Sequence, residues 1–506
     1  MTIFSKIVVL EYYVRKKLMR RYDNMSVLMN LEPNRVFYYF EEISKIPHGS
    51  YHTREISDYL VRFAKEHQLK YYQDIADNVI IYKNATEGYE DAPVTILQGH
   101  MDMVCEKIPL SAHDFEKDPL QLMVDGDYIS AKDTTLGGDN GIAIAYALAI
   151  LESEDIAHPA LEIVITSDEE VGLLGADALD TTMLNGTYMI NLDSEDEGII
   201  TAGSAGGVDA ISQIPLHYWE ADGMLFDVTI EGLMGGHSGV DITKNRANAN
   251  VLMGRYLYEL SEKYDYMIAD IAGGNKSNAI PRICTASLVA AETDVAAILA
   301  FTELFQGAIQ KEYTNTDGDV CIHIEPKNSG TYQVLDVSAK HRVLFYLRNV
   351  PNGIMKMSGQ IDGLVETSTN LGIIKIEDNQ FYALSGVRSS FTSARDDVGN
   401  KIQFITEFLA GEYSEQAPYP SWEYLEDSKL RKIACDAYEN LYGKQPHVEV
   451  IHAGLECGLF FDKMRDLDCI SIGPDMKDVH TTEERLSISS VSRTWDYLLA
   501  ILKEIK

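Results

Sequence analysis

The chain has 506 residues, too many for one ordinary hydrophobic core, so at least two domains are expected. Its composition is that of a globular protein, with 45% hydrophobic and 24% charged residues. The net charge of −35 argues against nucleic acid or an anionic membrane as a partner, since either needs a basic surface.

No run of 18 apolar residues exists, so no membrane-spanning helix is expected. Six cysteines (Cys105, Cys284, Cys321, Cys435, Cys457, Cys469) are scattered without a CxxC pair. They form neither a disulfide framework nor a thiolate zinc module, and a reducing cytoplasm is the expected setting. Residues 1–24 place the apolar run Ile7–Leu10 before Arg15, Lys16, Lys17, Arg20 and Arg21. A signal peptide has the reverse order. The reading adopted is an extension outside the fold, ahead of a start at Met25.

Amphipathic helices are predicted over 34–46 and 53–69, separated by the turn cluster Ile46-Pro47-His48-Gly49-Ser50. Strands follow at 78–82 and 94–97, the second running into Gln98-Gly99-His100-Met101-Asp102. Asp125-Gly126-Asp127 marks a hairpin turn. The glycine-rich loop Thr134–Gly141 opens an apolar helix, 142–151. It lacks the GxxxxGK[ST] order of a phosphate cradle, which disfavours a nucleotide site. Residues 161–166 form an apolar, β-branched strand that ends in Asp168-Glu169-Glu170, and strand 187–192 ends at Asp193.

Near Gly203 the rhythm changes. From about 206 to 415 longer alternating strands such as 225–230 are expected, with helices at 246–261, 293–312 and 357–372. This reads as an inserted second domain. The first rhythm returns with helix 428–442, strand 469–472, the loop Gly473–His480 and a last amphipathic helix carrying Val491, Trp495, Leu498 and Leu502. The expected domains are 25–205 and 416–506 together, interrupted by 206–415.

Polar residues recur at strand ends and helix starts: His100, Asp102, Asp139, Glu169, Glu170, Asp193 and His480. Ligands of open α/β sheets gather at such strand ends. Any one of these residues alone is ordinary structure, such as a helix cap. Together, imidazole plus carboxylate without thiolate suits hydrolytic zinc, manganese or cobalt. More carboxylates than histidines suggests two cations sharing one carboxylate. Asp102, two residues after His100, is placed to accept the ring N–H of that histidine. Glu169 and Glu170 would point opposite ways if extended, leaving one as ligand and the other as general base.

The chain resembles the M20 metallopeptidase family, and within it the cytosolic aminoacyl-histidine dipeptidases. The matching stretches are Gly99–Val104, Leu136–Gly141, Asp168–Gly172, Asn191–Glu195, Gly235–Gly239, Asn278–Arg282, His452–Gly458 and Ser471–Pro474, in family order. The resemblance implies an α/β fold with a zinc-exopeptidase-like mixed sheet and flanking helices, interrupted by an inserted α+β lid domain. It implies one metal on His100, Asp139 and Asp193, and another on Asp139, Glu170 and His480. It makes Glu169 the general base and Asp102 the orienting residue, with a cis peptide at Asp139-Asn140. His237 would stabilise the oxyanion. Asn278 and Arg388 would bind the substrate's C-terminal side, where a guanidinium suits a free carboxylate.

The implied activity is hydrolysis of unblocked dipeptides, aminoacyl-histidine included, by a homodimer carrying two divalent ions, zinc first and cobalt or manganese next. The alternatives are a tripeptide aminopeptidase or an N-acyl amino acid deacylase of the same family, and then a non-catalytic metal-binding protein. One stretch departs from the pattern. Relatives carry Gly-Pro-His before the last motif, whereas here the histidine follows Asp478-Val479.

Overall fold

The computed structural model describes residues 26–506, so the expected extension 1–24 lies outside the described residues. The chain divides into two compact units. One comprises residues through Ala202 with Glu426–Glu449 and Lys463–Lys506, and the other Gly203–Leu425 with Val450–Asp462. No helix among the described residues is long and apolar enough to cross a membrane.

The first unit is built on an eight-stranded mixed sheet. Its order is Lys70–Gln73, Val79–Lys83, Leu161–Thr166, Thr95–His100, Tyr188–Asn191, Asp468–Ser471, Ile199–Ser204 and His447–Ile451. The central pairings are parallel. Every residue of Thr95–His100 and Leu161–Thr166 is buried, as expected where both faces of a sheet are covered. Helices Asn34–Ile43, Gly138–Glu152 and Ile488–Glu504 contribute to the core that covers it.

Beyond its first turn helix Gly138–Glu152 is apolar all round as far as Leu151, and it is buried from Gly138 to Leu151, which fits a helix enclosed by other elements. Its C-terminal carbonyls are met by Lys83, whose Nζ donates to Ile150 O at 2.8 Å and Leu151 O at 3.2 Å. The hairpin expected at Asp125-Gly126-Asp127 joins Leu122–Asp125 to Tyr128–Ala131, with Gly126 at φ 58°.

The second unit is an antiparallel nine-stranded sheet with helices Ala249–Ser261, Glu292–Glu312, Val337–Asn349 and Thr392–Phe408. Its order is Cys321–Leu335, Tyr218–Glu231, Cys284–Ala290, Tyr266–Gly273, Val365–Glu377, Gln380–Ser389, Gly206–Pro215 and Glu412–Tyr419, with Gly353–Met357 branching onto Val365–Glu377. Phe226, Val228 and Ile230 alternate inward along one strand.

The helix expected at 357–372 is not formed. The segment instead holds the end of strand Gly353–Met357, a turn, and the start of strand Val365–Glu377. Val365, Thr367 and Thr369 are β-branched, and Val365–Gly372 is buried without a break between two neighbouring strands. Such a run favours a central strand over an amphipathic helix. Helices Val337–Asn349 and Thr392–Phe408, not anticipated from the sequence, stand on either side of it in the chain.

Candidate active site

The parallel strands of the first unit end together, and their carboxyl ends hold the polar residues. His100 closes strand Thr95–His100, Glu169 and Glu170 follow Leu161–Thr166, and Asp193 follows Tyr188–Asn191. Asp139 lies in the first turn of Gly138–Glu152. Gly99 lets that helix approach, because a side chain there would strike Asn140 and Ala143. Asn140 Oδ1 then accepts the His100 backbone N–H at 3.2 Å, and its Nδ2 donates to Leu192 O at 2.9 Å. The Asp139-Asn140 peptide is cis, at the position expected for it.

Asp139 faces two imidazoles with its two oxygens. Oδ1 lies 2.9 Å from His100 Nε2, and Oδ2 lies 3.1 Å from His480 Nε2. Asp193 Oδ1 is 3.4 Å from His100 Nε2, and Glu170 Oε1 is 3.0 Å from His480 Nε2. Three candidate ligand sets result among the described residues, His100–Asp139–Asp193 and Asp139–Glu170–His480, which share Asp139, and His100–Glu169–Glu170, each with its ligand atoms within 4.8 Å of one another.

These sets fit divalent cations by their chemistry. All donors are nitrogen or oxygen, each set has one imidazole, and Asp139 is common to two of them. The charge balance points the same way, with four carboxylates (Asp139, Glu169, Glu170, Asp193) around two imidazoles. Burial works against a charged His100, yet Asp193, Asp102 and Asp139 raise its pKa well above the usual histidine range. Hydrogen bonds to Asp139 and Glu170 raise His480 to about 11. Burial pushes Asp193 up to about 7 despite His100. A cluster that draws protons this strongly is one that calls for positive charge.

Two details differ from the sequence reading. His100 Nδ1 points at the backbone carbonyl of Asp102, at 3.0 Å, with the Asp102 carboxylate farther off at 3.5 Å. That carboxylate instead accepts the N–H groups of Glu169 (2.9 Å) and Glu170 (3.2 Å) and the Ser50 hydroxyl (2.8 Å). Asp102 therefore holds His100 chiefly through its main chain, with its carboxylate facing Nδ1 at 3.5 Å, and holds the glutamate turn through its side chain. Nor do Glu169 and Glu170 diverge. They sit in a turn beyond the strand, and one oxygen of each lies within 4.8 Å of the other and of His100. Asp168 adopts φ 49° and accepts the Tyr51 N–H at 2.6 Å, a structural tie.

Glu484 has no forewarning in the sequence beyond standing four residues after His480. It is buried, and its carboxylate accepts the N–H groups of Leu136 (2.7 Å), Gly138 (2.8 Å), Gly137 (3.2 Å) and Asp139 (3.5 Å). It fixes the loop that presents Asp139. The side-chain roles of Ser50 and Asn140 likewise have no forewarning, since a turn serine and a residue inside a helix start carry no periodic signal.

In the second unit, Gly236–His237 pairs with Ala279–Ile280, which sets His237 beside Asn278. Asn370 clamps that segment, its Nδ2 donating to Ser277 O and Ala279 O at 2.9 Å each. His237 Nδ1 accepts the N–H groups of Gly239 and Val240, both at 3.2 Å, so the ring proton resides on Nε2. Burial, then Arg388, lowers the pKa of His237, with Asp241 opposing. Arg388 is half-buried, and its Nη1 donates to Tyr419 Oη at 2.7 Å.

The model of peptidase family M20/M25/M40 matches residues 96–504. The cytosol non-specific dipeptidase of Escherichia coli (strain K12) is 36% identical over 485 residues, covering 95% of this chain and 99% of that protein. The crystal structure of aminoacylhistidine dipeptidase from Vibrio alginolyticus superposes with a TM-score of 0.86 at 35% identity, covering 95% of this chain and 98% of that one. The aminopeptidase PepT from Bacillus cereus, at 15% identity and TM-score 0.55 over 94% of this chain and 99% of that one, shares the fold.

Proposed function

The chain belongs to peptidase family M20/M25/M40, and from that premise we propose that it is a dinuclear metal-dependent dipeptidase that hydrolyses unblocked dipeptides, aminoacyl-histidine among them. The observation that carries the reading is Asp139 with one oxygen toward His100 and the other toward His480, each imidazole completed by a further carboxylate. Two relatives of 36% and 35% identity, named as dipeptidases, support the substrate class.

His100, Asp139 and Asp193 hold one ion, and Asp139, Glu170 and His480 the other. An all-nitrogen-and-oxygen donor set supports zinc, with cobalt or manganese as substitutes. When bound, the ions polarise the scissile carbonyl and lower the pKa of the attacking water.

Glu169 takes the proton of the attacking water and returns it to the leaving amine. Its backbone N–H is tied to Asp102 Oδ1, which fixes the turn from which the side chain projects. His237 keeps its proton on Nε2 and donates it to the developing oxyanion, as two backbone N–H groups on Nδ1 permit no other tautomer. Asn278 and Arg388 bind the C-terminal side of the substrate. A guanidinium pairing with a free carboxylate supports dipeptides over blocked or longer chains.

The same reading places the protein in the cytoplasm, as the name of the Escherichia coli relative does for that protein, and assembles it as a homodimer. The net charge of −35 supports small peptides over nucleic acids or membranes as partners.

The test is a panel of dipeptides, tripeptides and N-acyl amino acids, run on metal-stripped protein and after adding back zinc, cobalt or manganese. Dipeptide turnover that needs metal is expected. Turnover of tripeptides or N-acyl amino acids with dipeptides inert would favour the sister activities instead. Sedimentation reads the oligomeric state.

A further inference from the structure

The second unit holds an imidazole that the functional reading does not use. His452 is 6% exposed. Its Nε2 meets Ser368 Oγ at 2.7 Å, while its Nδ1 is buried without a hydrogen-bond partner among the described residues. An orphaned buried polar atom costs about 1–3 kcal/mol, so it demands an explanation.

Its neighbours supply one. Ser368 lies directly opposite Arg388 in the antiparallel pairing of Val365–Glu377 with Gln380–Ser389. Opposed residues project from the same face of a sheet. Ser368 therefore carries the His452 ring to the side of the sheet where Arg388 stands. Arg388 bonds to the Tyr419 hydroxyl, and among the described residues no carboxylate oxygen lies within 4.0 Å of its guanidinium nitrogens. Gly239 joins the group to His237: a side chain there would strike both the His452 carbonyl and the His237 ring. Asp209 is the nearby acid, opposed to Gly386 in the same sheet. Its carboxyl is raised by burial, against the pull of Ser277 and Arg388. Burial, Arg388 and His237 together hold His452 down to about 4, so the ring is a neutral donor at pH 7.

We propose that His452 is a substrate-binding residue, whose Nδ1–H donates to the free α-carboxylate at the C-terminus of the peptide, side by side with Arg388. Ser368 donates its hydroxyl proton to Nε2 and so leaves the ring proton on Nδ1. The pair reads one anionic group with two donors, one cationic and one neutral. This rests on the dipeptidase reading and adds a residue to it.

The experiment compares KM and kcat for a dipeptide and for the same dipeptide with a C-terminal amide. Glutamine at 452 keeps a group near the Nε2 position and loses the Nδ1 donor, whereas asparagine keeps a donor near Nδ1. For His452→Gln, KM for the free dipeptide is expected to rise about tenfold, the worth of one hydrogen bond to a charged group. Its kcat, and both constants for the amide, stay within about twofold, and His452→Asn retains the discrimination.

An unchanged carboxylate-to-amide ratio in His452→Gln overturns the proposal, as does an equal loss on both substrates. If the glutamine variant does not fold, loss of discrimination in a folded His452→Asn overturns it instead. A wild-type protein that cleaves no dipeptide overturns the dipeptidase reading itself. A wild type that discriminates, with a glutamine variant that discriminates equally, overturns only the role of His452.

Discussion

Replacing Glu484 by glutamine tests how the site is held together. Its carboxylate receives four consecutive backbone N–H groups, with the shortest bonds to Leu136 and Gly138 at 2.7 and 2.8 Å. Glutamine keeps one acceptor oxygen and turns an NH2 group toward N–H donors. One charge-assisted bond is lost, at about 1.5–3 kcal/mol, and a buried N–H is left unpaired at about 1–3 kcal/mol. Two effects oppose each other here. Burial raises the pKa of Glu484, against the N–H groups of Leu136, Gly137 and Gly138, so removing the charge relieves a burial cost.

We expect a net loss of about 3 kcal/mol. A domain of roughly 150–250 residues shifts by about 2–4 °C per kcal/mol, so the unfolding midpoint should fall by roughly 6–12 °C. The loop also presents Asp139, the carboxylate common to two of the ligand sets. Loss of such support weakens metal binding roughly 10–100-fold. Thermal unfolding together with release of metal to a graded chelator reads both effects. A variant with the wild-type midpoint and wild-type metal retention would refute the reasoning, because the four bonds would then carry no weight.

Other outcomes follow from single contacts. Asp102→Asn leaves one oxygen for the Glu169 and Glu170 N–H groups and Ser50, and kcat is expected to drop roughly 10–100-fold; Ser50→Ala, losing one of these bonds, should cost about tenfold or less. His452 is neutral in the fold down to about pH 4, whereas a histidine in the unfolded chain protonates near 6.5. Below pH 6.5 the unfolded state takes up the proton first, so the contribution of His452 to stability falls by about 1.4 kcal/mol per pH unit until about pH 4. Denaturant unfolding against pH should lose that slope in His452→Gln, and an unaltered slope would contradict the buried neutral ring. Chelation should abolish dipeptide turnover, and zinc should restore it; turnover that survives complete metal removal would exclude the proposed chemistry.

The strand ends were legible in the sequence because burial on both faces forces continuous apolar runs, as in Leu161–Thr166, and polar residues interrupt them only where they end. The ordered motifs then named the residues that the structure brings together: His100, Asp139, Glu170, Asp193 and His480. What escaped lies in contacts between distant segments. Glu484 serves a loop more than three hundred residues away, and its role appears only when the chain closes on itself. Spacing and resemblance both assign the Asp102 side chain to His100, but the turn after Thr166 brings two N–H groups closer to it than the ring nitrogen. Segment 357–372 misled because its apolar residues recur at helix-like spacing, whereas its β-branched residues pack within a sheet.

Glu169→Gln addresses the central claim most directly, by separating metal binding from proton transfer. Glutamine preserves the side-chain shape and the backbone bond to Asp102, and Glu169 belongs to neither of the two ligand sets that share Asp139. The variant is expected to retain two metal equivalents per chain and to lose dipeptide turnover by roughly 10^2- to 10^4-fold, the contribution of a positioned general base. Turnover near the wild-type rate with both metals in place would contradict the account.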